Sequence, residues 1–220
     1  SRVATRVLQA YEGAFPVTKK VTTVGNPLRD EVFDVVPPLA RYAKRNGLFR
    51  VLVVGGSQGS QAINAVVLDW VSNYVLADEV EVWHQTGREQ QARLLREYDR
   101  MDVQVRVDAF IGDMVSAYAW ADVVICRAGA MTVSEIAAVG VAAVFVPLAI
   151  AADNHQFYNA ASLAESEASL IIDECDFTSA KLQEAMQRLL VCREQLASMA
   201  VRANSAVKRE AAQHVVKALV

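Results

Sequence analysis

The chain has 220 residues and a mass of 24.0 kDa, with 53% hydrophobic and 21% charged residues, a balance far from the low-hydrophobicity, high-charge corner of disordered chains. A net charge of −3 argues against a nucleic-acid binder that works by neutralising phosphates. Three cysteines (Cys126, Cys175 and Cys192) lie far apart with no C-x-x-C pair, which disfavours a disulfide framework or a zinc site and points to a reducing compartment.

In chain order, the N-terminus has no apolar core of signal-peptide type and no initiator Met, which suggests a fragment. Residues 21–24 read as a strand end before Gly25-Asn26-Pro27, a turn signal, and Pro37-Pro38 opens a helix over 39–44. From residue 49 two periods alternate. Short β-branched runs at 49–54, 80–84, 103–107, 122–125, 141–146 and 170–172 read as strands. Helical spacing fills 61–74, 89–98, 114–120, 132–139, 155–164 and 179–190, and two more helices close the chain at 193–203 and 206–219. Strands with little internal alternation, separated by helices, imply βαβ units with both sheet faces covered. The predicted class is α/β, a doubly wound parallel sheet of Rossmann-like type. The longest uncharged stretch, 136–152, has 17 residues, is broken by Gly140 and Pro147, and falls short of the ~20 needed to span a bilayer.

Three segments carry candidate chemistry. Gly55-Gly56-Ser57-Gln58-Gly59-Ser60 follows a strand and opens a helix. Glycines let backbone N–H groups approach an anion and the helix N-terminus adds a favourable dipole; equally, the loop is a tight βα turn with Ser57 or Ser60 as helix cap. It is neither G-x-G-x-x-G nor a Walker loop, which disfavours a dinucleotide or P-loop site. In the second segment, Cys126 to Glu135, Thr132-x-x-Glu135 reads as a capping box. Alternatively, Glu135 sits in the first turn of a helix at the ligand edge and offers two acceptor oxygens to a ribose diol. The third, 153–160, places Asn154, His155, Gln156 and Asn159 at a helix start, where amides can read sugar hydroxyls or Asp153 or Asn154 can cap the helix. Cys126 reads as a buried strand-end residue and His84 as a structural strand-end histidine rather than a ligand. No metal-ligand cluster, D-x-D pair or G-x-S-x-G elbow occurs, and Ser57, Thr132 and Ser134 have no base at readable spacing.

The order of these motifs resembles the MurG family of bacterial N-acetylglucosaminyltransferases. Carrying the resemblance are Gly25-Asn26-Pro27-Leu28-Arg29, the Gly-Gly-Ser-Gln-Gly loop, Trp83-His84-Gln85-Thr86-Gly87, Phe110-Ile111-Gly112-Asp113-Met114, Arg127-Ala128-Gly129-Ala130-Met131-Thr132-Val133-Ser134-Glu135, Phe145-Val146-Pro147 and Gln156-Phe157-Tyr158-Asn159-Ala160. It implies the C-terminal half of a GT-B inverting transferase that moves GlcNAc from UDP-GlcNAc to the muramoyl 4-hydroxyl of lipid I, making lipid II in peptidoglycan synthesis. It places Ser57 at the diphosphate and the Ile111 backbone at the uracil. Ala130, Met131, Thr132, Val133, Ser134 and Glu135 would line the donor, with Glu135 on the ribose hydroxyls. Gln156 would contact the GlcNAc hydroxyls, with Asn159 a lesser candidate, and Arg29 would approach the nucleotide from the cleft.

The resemblance implies no metal, cofactor or nucleic-acid partner. The catalytic base, the lipid I site and peripheral contact with the cytoplasmic face of the membrane would belong to a further N-terminal domain carrying a G-G-T-G-G-H motif, which does not occur in these 220 residues. Residues 1–36 are then the tail of that domain plus a linker, 37–205 the UDP-sugar-binding domain and 206–220 a C-terminal helix; on that division the chain alone would be inactive. His155 departs from the family pattern, where a second glutamine is usual, and the 148–154 loop is more apolar. The alternatives are a non-catalytic UDP-GlcNAc-binding subunit of a split transferase and a UDP-GlcNAc 2-epimerase-like enzyme.

Overall fold

The computed structural model describes residues 4–12, 15–75, 78–149 and 154–219. Two short strands, β1 (Val7–Gln9) and β2 (Val21–Thr23), pair in parallel ahead of a 3-10 turn at Asp30–Phe33 and a short helix α1 (Pro38–Tyr42). Alternation then begins: β3 (Phe49–Val54), α2 (Gln61–Tyr74), β4 (Val80–Gln85), α3 (Arg88–Tyr98), β5 (Gln104–Asp108), α4 (Met114–Trp120), β6 (Val123–Cys126), α5 (Ala130–Val139), β7 (Ala142–Phe145), α6 (His155–Ala164) and β8 (Ser169–Ile171). Three helices close the chain: α7 (Ser179–Leu189), α8 (Arg193–Ser205) and α9 (Ala211–Leu219). Strands β3 to β8 form one all-parallel sheet in the order β5-β4-β3-β6-β7-β8.

Successive side chains of a strand point to opposite faces, so each central strand feeds two cores. Val51 and Val53 pack with Ile125 and Val144 against Ile63 and Trp70 of α2, Met186 of α7 and Leu196 of α8. Leu52 and Val54 point the other way with Val124 and Phe145, against Tyr118 of α4, Val133 and Ile136 of α5, and Leu163 of α6. This double burial is why the strand sequences are continuous apolar runs. At the sheet's amino-terminal end the buried Asp122 accepts from the Arg50 N–H at 3.0 Å and meets Arg45 and Arg193 at 3.6 and 3.7 Å, pinning β3 and α8 to β6.

The chain lays β3 down first, builds β4 and β5 on one side, then crosses back to add β6, β7 and β8 on the other. The order therefore reverses between β3 and β6, and the crevice beyond their carboxyl ends is the position at which such sheets bind ligands. Most boundaries lie within two residues of the sequence reading, and three points of difference stand out. β1 is unannounced by its composition. α5 begins at Ala130 rather than 132, and α9 begins at Ala211 rather than 206, after a turn at 206–210. Among the described residues, no helix is long and apolar enough to cross a membrane.

Candidate functional site

Val54 of β3 stands in register with Cys126 of β6, so the loops that follow, 55–60 and 127–129, leave the sheet side by side. In the first, the Gly56 carbonyl accepts the Gly59 N–H at 2.9 Å, closing a tight turn that leaves Ser57 and Gln58 exposed at its tip. Ser60, not Ser57, caps α2: its hydroxyl accepts from the Ile63 N–H. The same hydroxyl accepts from Arg127 Nη2 at 2.9 Å, which ties the two loops together. Arg127 also donates to the Val146 carbonyl at 3.2 Å and pairs with Glu174, whose other oxygen accepts the Ala149 N–H. Burial opposes ionisation of Glu174, yet the Ala149 N–H and Arg127 hold its carboxyl below the usual value.

The second loop delivers α5 without a side-chain cap. Gly129 is the N-cap residue, so Thr132 lies within the first turn and Glu135 in the second; the capping box read from Thr132-x-x-Glu135 does not form. First-turn N–H groups left without a side-chain partner are donors open to an anion. Asn159, buried on α6, donates to the Ala128 carbonyl at 3.0 Å and so holds this loop from below.

The half-buried carboxylate of Glu135 accepts a long hydrogen bond, 3.4 Å, from the buried Tyr118 hydroxyl. Burial raises its pKa, while Tyr118 and the charge of Arg29 pull it back down. Arg29 is exposed and also bears on Asp113, whose carboxyl caps α4 through the Ser116 N–H and is held low chiefly by Ser116. Arg29, Asp113, Tyr118 and Glu135 thus gather beside α5. Ile111, two residues before Asp113, has its side chain in the core, which leaves its backbone as the group able to meet a ligand.

The remaining residues of the 130–135 stretch divide by orientation. Met131 is exposed, and Ala130 and Thr132 are half-buried. Val133 is fully buried in the core. Ser134 is turned inward, donating to the Ala130 carbonyl and bonded to Tyr11 at 2.5 Å and Asn26 at 3.0 Å. Burial pushes the Tyr11 hydroxyl up to about 12, so it stays protonated. On the α6 side, Gln156 is half-buried and its Oε1 accepts the Leu148 N–H at 3.1 Å. Asn154 is the N-cap residue in left-handed conformation but makes no side-chain cap; Asp153, the other expected cap, lies outside the described residues.

Sequence reasoning missed the scaffold beneath the first loop. A Cβ at Gly59 would lie 2.2 Å from the Thr86 carbonyl oxygen, and one at Gly87 would lie 2.1 Å from that of Gln58. The 55–60 loop and the Thr86-Gly87 turn therefore touch backbone to backbone, which only glycine permits. Asn64 Nδ2 donates to the Thr86 carbonyl at 2.9 Å, and its Oδ1 faces Nε2 of His84, whose Nδ1 faces the Tyr98 hydroxyl. Burial pulls His84 down to about 3, a neutral structural histidine as its strand-end position suggested. A cavity of about 520 Å3, bordered by Ser57, Gln61, Thr86, Arg88 and Phe110, opens over this scaffold. A second, of about 460 Å3, lies at Tyr11, Asn26, Ser134 and Tyr158.

Residues 50–215 match the family model described as the glycosyltransferase family 28 C-terminal domain. The chain is 43% identical over 216 residues to the UDP-N-acetylglucosamine–N-acetylmuramyl-(pentapeptide) pyrophosphoryl-undecaprenol N-acetylglucosamine transferase of Coxiella burnetii, covering 98% of this chain and 60% of the relative. It is 42% identical over 218 residues to the transferase of the same name from Haemophilus influenzae, covering 99% and 60%. Among solved structures, MurG of Acinetobacter baumannii superposes with a TM-score of 0.85 at 35% identity, over 99% of this chain and 60% of that one. The chain spans about 60% of the length of the relatives it matches.

Proposed function

The chain belongs to the glycosyltransferase family 28 C-terminal domain family, and from that premise we propose that it binds UDP-GlcNAc as the donor half of an inverting N-acetylglucosaminyltransferase. The observation that carries the reading is the pairing of two open strand-to-helix mouths, 55–60 and 127–130, on neighbouring strands where the sheet order reverses. On this reading the acceptor is the muramoyl 4-hydroxyl of lipid I; the names of the relatives print an N-acetylmuramyl-(pentapeptide) pyrophosphoryl-undecaprenol, which supports that class of acceptor. Attack of that hydroxyl on the anomeric carbon forms the new glycosidic bond and expels UDP. Negative charge grows on the departing diphosphate, and donors already fixed in place stabilise it without reorganising. Here those donors are the Ser57 region, the N-terminus of α2 and the uncapped N-terminus of α5.

In this reading Glu135 takes the ribose hydroxyls, the Ile111 backbone the uracil edge, and Gln156 the GlcNAc hydroxyls through the amide nitrogen that its bond to Leu148 leaves available. Arg29 closes over the nucleotide. The acceptor site and catalytic base belong to residues outside this chain, and the whole enzyme works peripherally at the cytoplasmic face of the membrane. Isothermal titration of the chain with UDP-GlcNAc tests the reading. One-to-one binding, competed by UDP and unchanged by a chelator, is expected; no binding of either ligand would overturn it.

A further inference from the structure

We propose that Gln85 is a positioning residue for the donor diphosphate: by fixing the Gly56 carbonyl inward, it turns the Ser57 N–H outward into the crevice. This rests on the donor reading above. Gln85 is the last residue of β4, in register with Val54 at the end of β3, and is almost wholly buried. Its Nε2 donates to the Gly56 carbonyl at 2.7 Å. Only the amide nitrogen can donate to a carbonyl, so the side-chain orientation follows from chemistry.

The same carbonyl accepts the Gly59 N–H at 2.9 Å, which occupies both of its lone pairs. A trans peptide is planar, with its C=O and N–H on opposite sides. Drawing the Gly56 oxygen toward β4 therefore directs the hydrogen on Ser57 N away from the sheet, on the exposed side of the turn. Gly56 has φ of +89°, a conformation that glycine adopts without strain and in which the flanking peptide can rotate. The Gly59 N–H restrains this joint from within the turn, and Gln85 adds the restraint from β4 that holds the carbonyl toward the sheet. The Thr86-Gly87 turn packed on Gly59 fixes the other end of the loop. Gln85 touches neither sugar nor base on this account; it acts through the Gly56–Ser57 peptide.

The test uses the full chain, two variants and two probes. Gln85→Met keeps the volume and removes the donor. Gln85→Asn keeps the amide but withdraws it by one methylene, and gives a second readout if the first variant folds poorly. UDP carries the diphosphate and uridine lacks it. Expected is a loss of about tenfold in UDP affinity in both variants, the scale of one charge-assisted bond, with uridine affinity unchanged and the melting temperature lowered by only a few degrees, as the loss of one buried hydrogen bond requires. In 15N-labelled wild type, the Ser57 amide proton should move downfield on adding UDP and not on adding uridine, and that response should vanish in the variants. Unchanged UDP affinity in both variants overturns the proposal, as does an equal loss of UDP and uridine binding. Wild type that binds UDP without moving the Ser57 amide overturns the role of Gln85 and leaves the donor reading standing. Wild type that binds neither probe removes the donor reading and this proposal with it.

Discussion

Replacing Glu135 by alanine should remove the chain's preference for an intact ribose. In the free chain the carboxylate accepts a hydrogen bond from the Tyr118 hydroxyl at 3.4 Å, at the long end of hydrogen bonding, and feels the charge of Arg29. Little is therefore lost from the unliganded fold, and the carboxylate keeps lone pairs on both oxygens for a diol. A hydrogen bond to a charged group contributes about 1.5–3 kcal/mol. Burial already raises the carboxyl's pKa, so part of that gain offsets the cost of keeping it ionised. At least one such bond, about 1.5–3 kcal/mol or roughly ten- to a hundredfold in affinity, should be lost with the carboxylate. Calorimetry with UDP and 2′,3′-dideoxy-UDP on wild type and Glu135→Ala closes a double-mutant cycle. Wild type should prefer UDP by that factor and the variant should bind both ligands alike. A variant that keeps the full preference would refute the assignment of Glu135 to the ribose.

Two further outcomes follow from the scaffold. His84 is held near 3 when folded against about 6.5 when unfolded. The folded chain thus binds fewer protons, and His84's contribution is fully present above about pH 6.5 and declines by about 1.4 kcal/mol per unit as pH falls toward 3. Melting curves of wild type and His84→Gln should show a shallower acid dependence in the variant, and superimposable slopes would contradict it. Arg127→Met strips the links to Ser60, Val146 and Glu174 and leaves a largely buried carboxylate facing, among the described residues, the Ala149 N–H without its cation. Thermal melting should drop by roughly 4–8 °C, from about 2 kcal/mol in a chain of this size, with Glu174→Gln recovering part of it; a drop under about 1 °C would contradict the tie.

The alternation of β-branched runs and helical spacing made the six-stranded sheet legible, because each central strand is buried on both faces and its composition says so. The cap of α2 was also legible in part, since Ser60 satisfies a local donor three residues away. The start of α5 was not. Thr132-x-x-Glu135 has the local wording of a capping box, but the loop is held by Asn159, 31 positions away, through the Ala128 carbonyl, and the helix begins at Ala130. Gln85 reaches Gly56 across 29 positions and Arg127 reaches Ser60 across 67. Such contacts exist only once β4, β3 and β6 are neighbours, so no periodicity announces them. β1 was missed for a related reason: three half-buried residues paired with a short partner carry too little pattern to stand out.

The most direct measurement is a crystal structure of the chain grown with UDP. The diphosphate is expected between the Ser57 turn and the first turn of α5, with the ribose on Glu135. Nucleotide density centred instead on the recess at Tyr11, Asn26 and Tyr158 would contradict it.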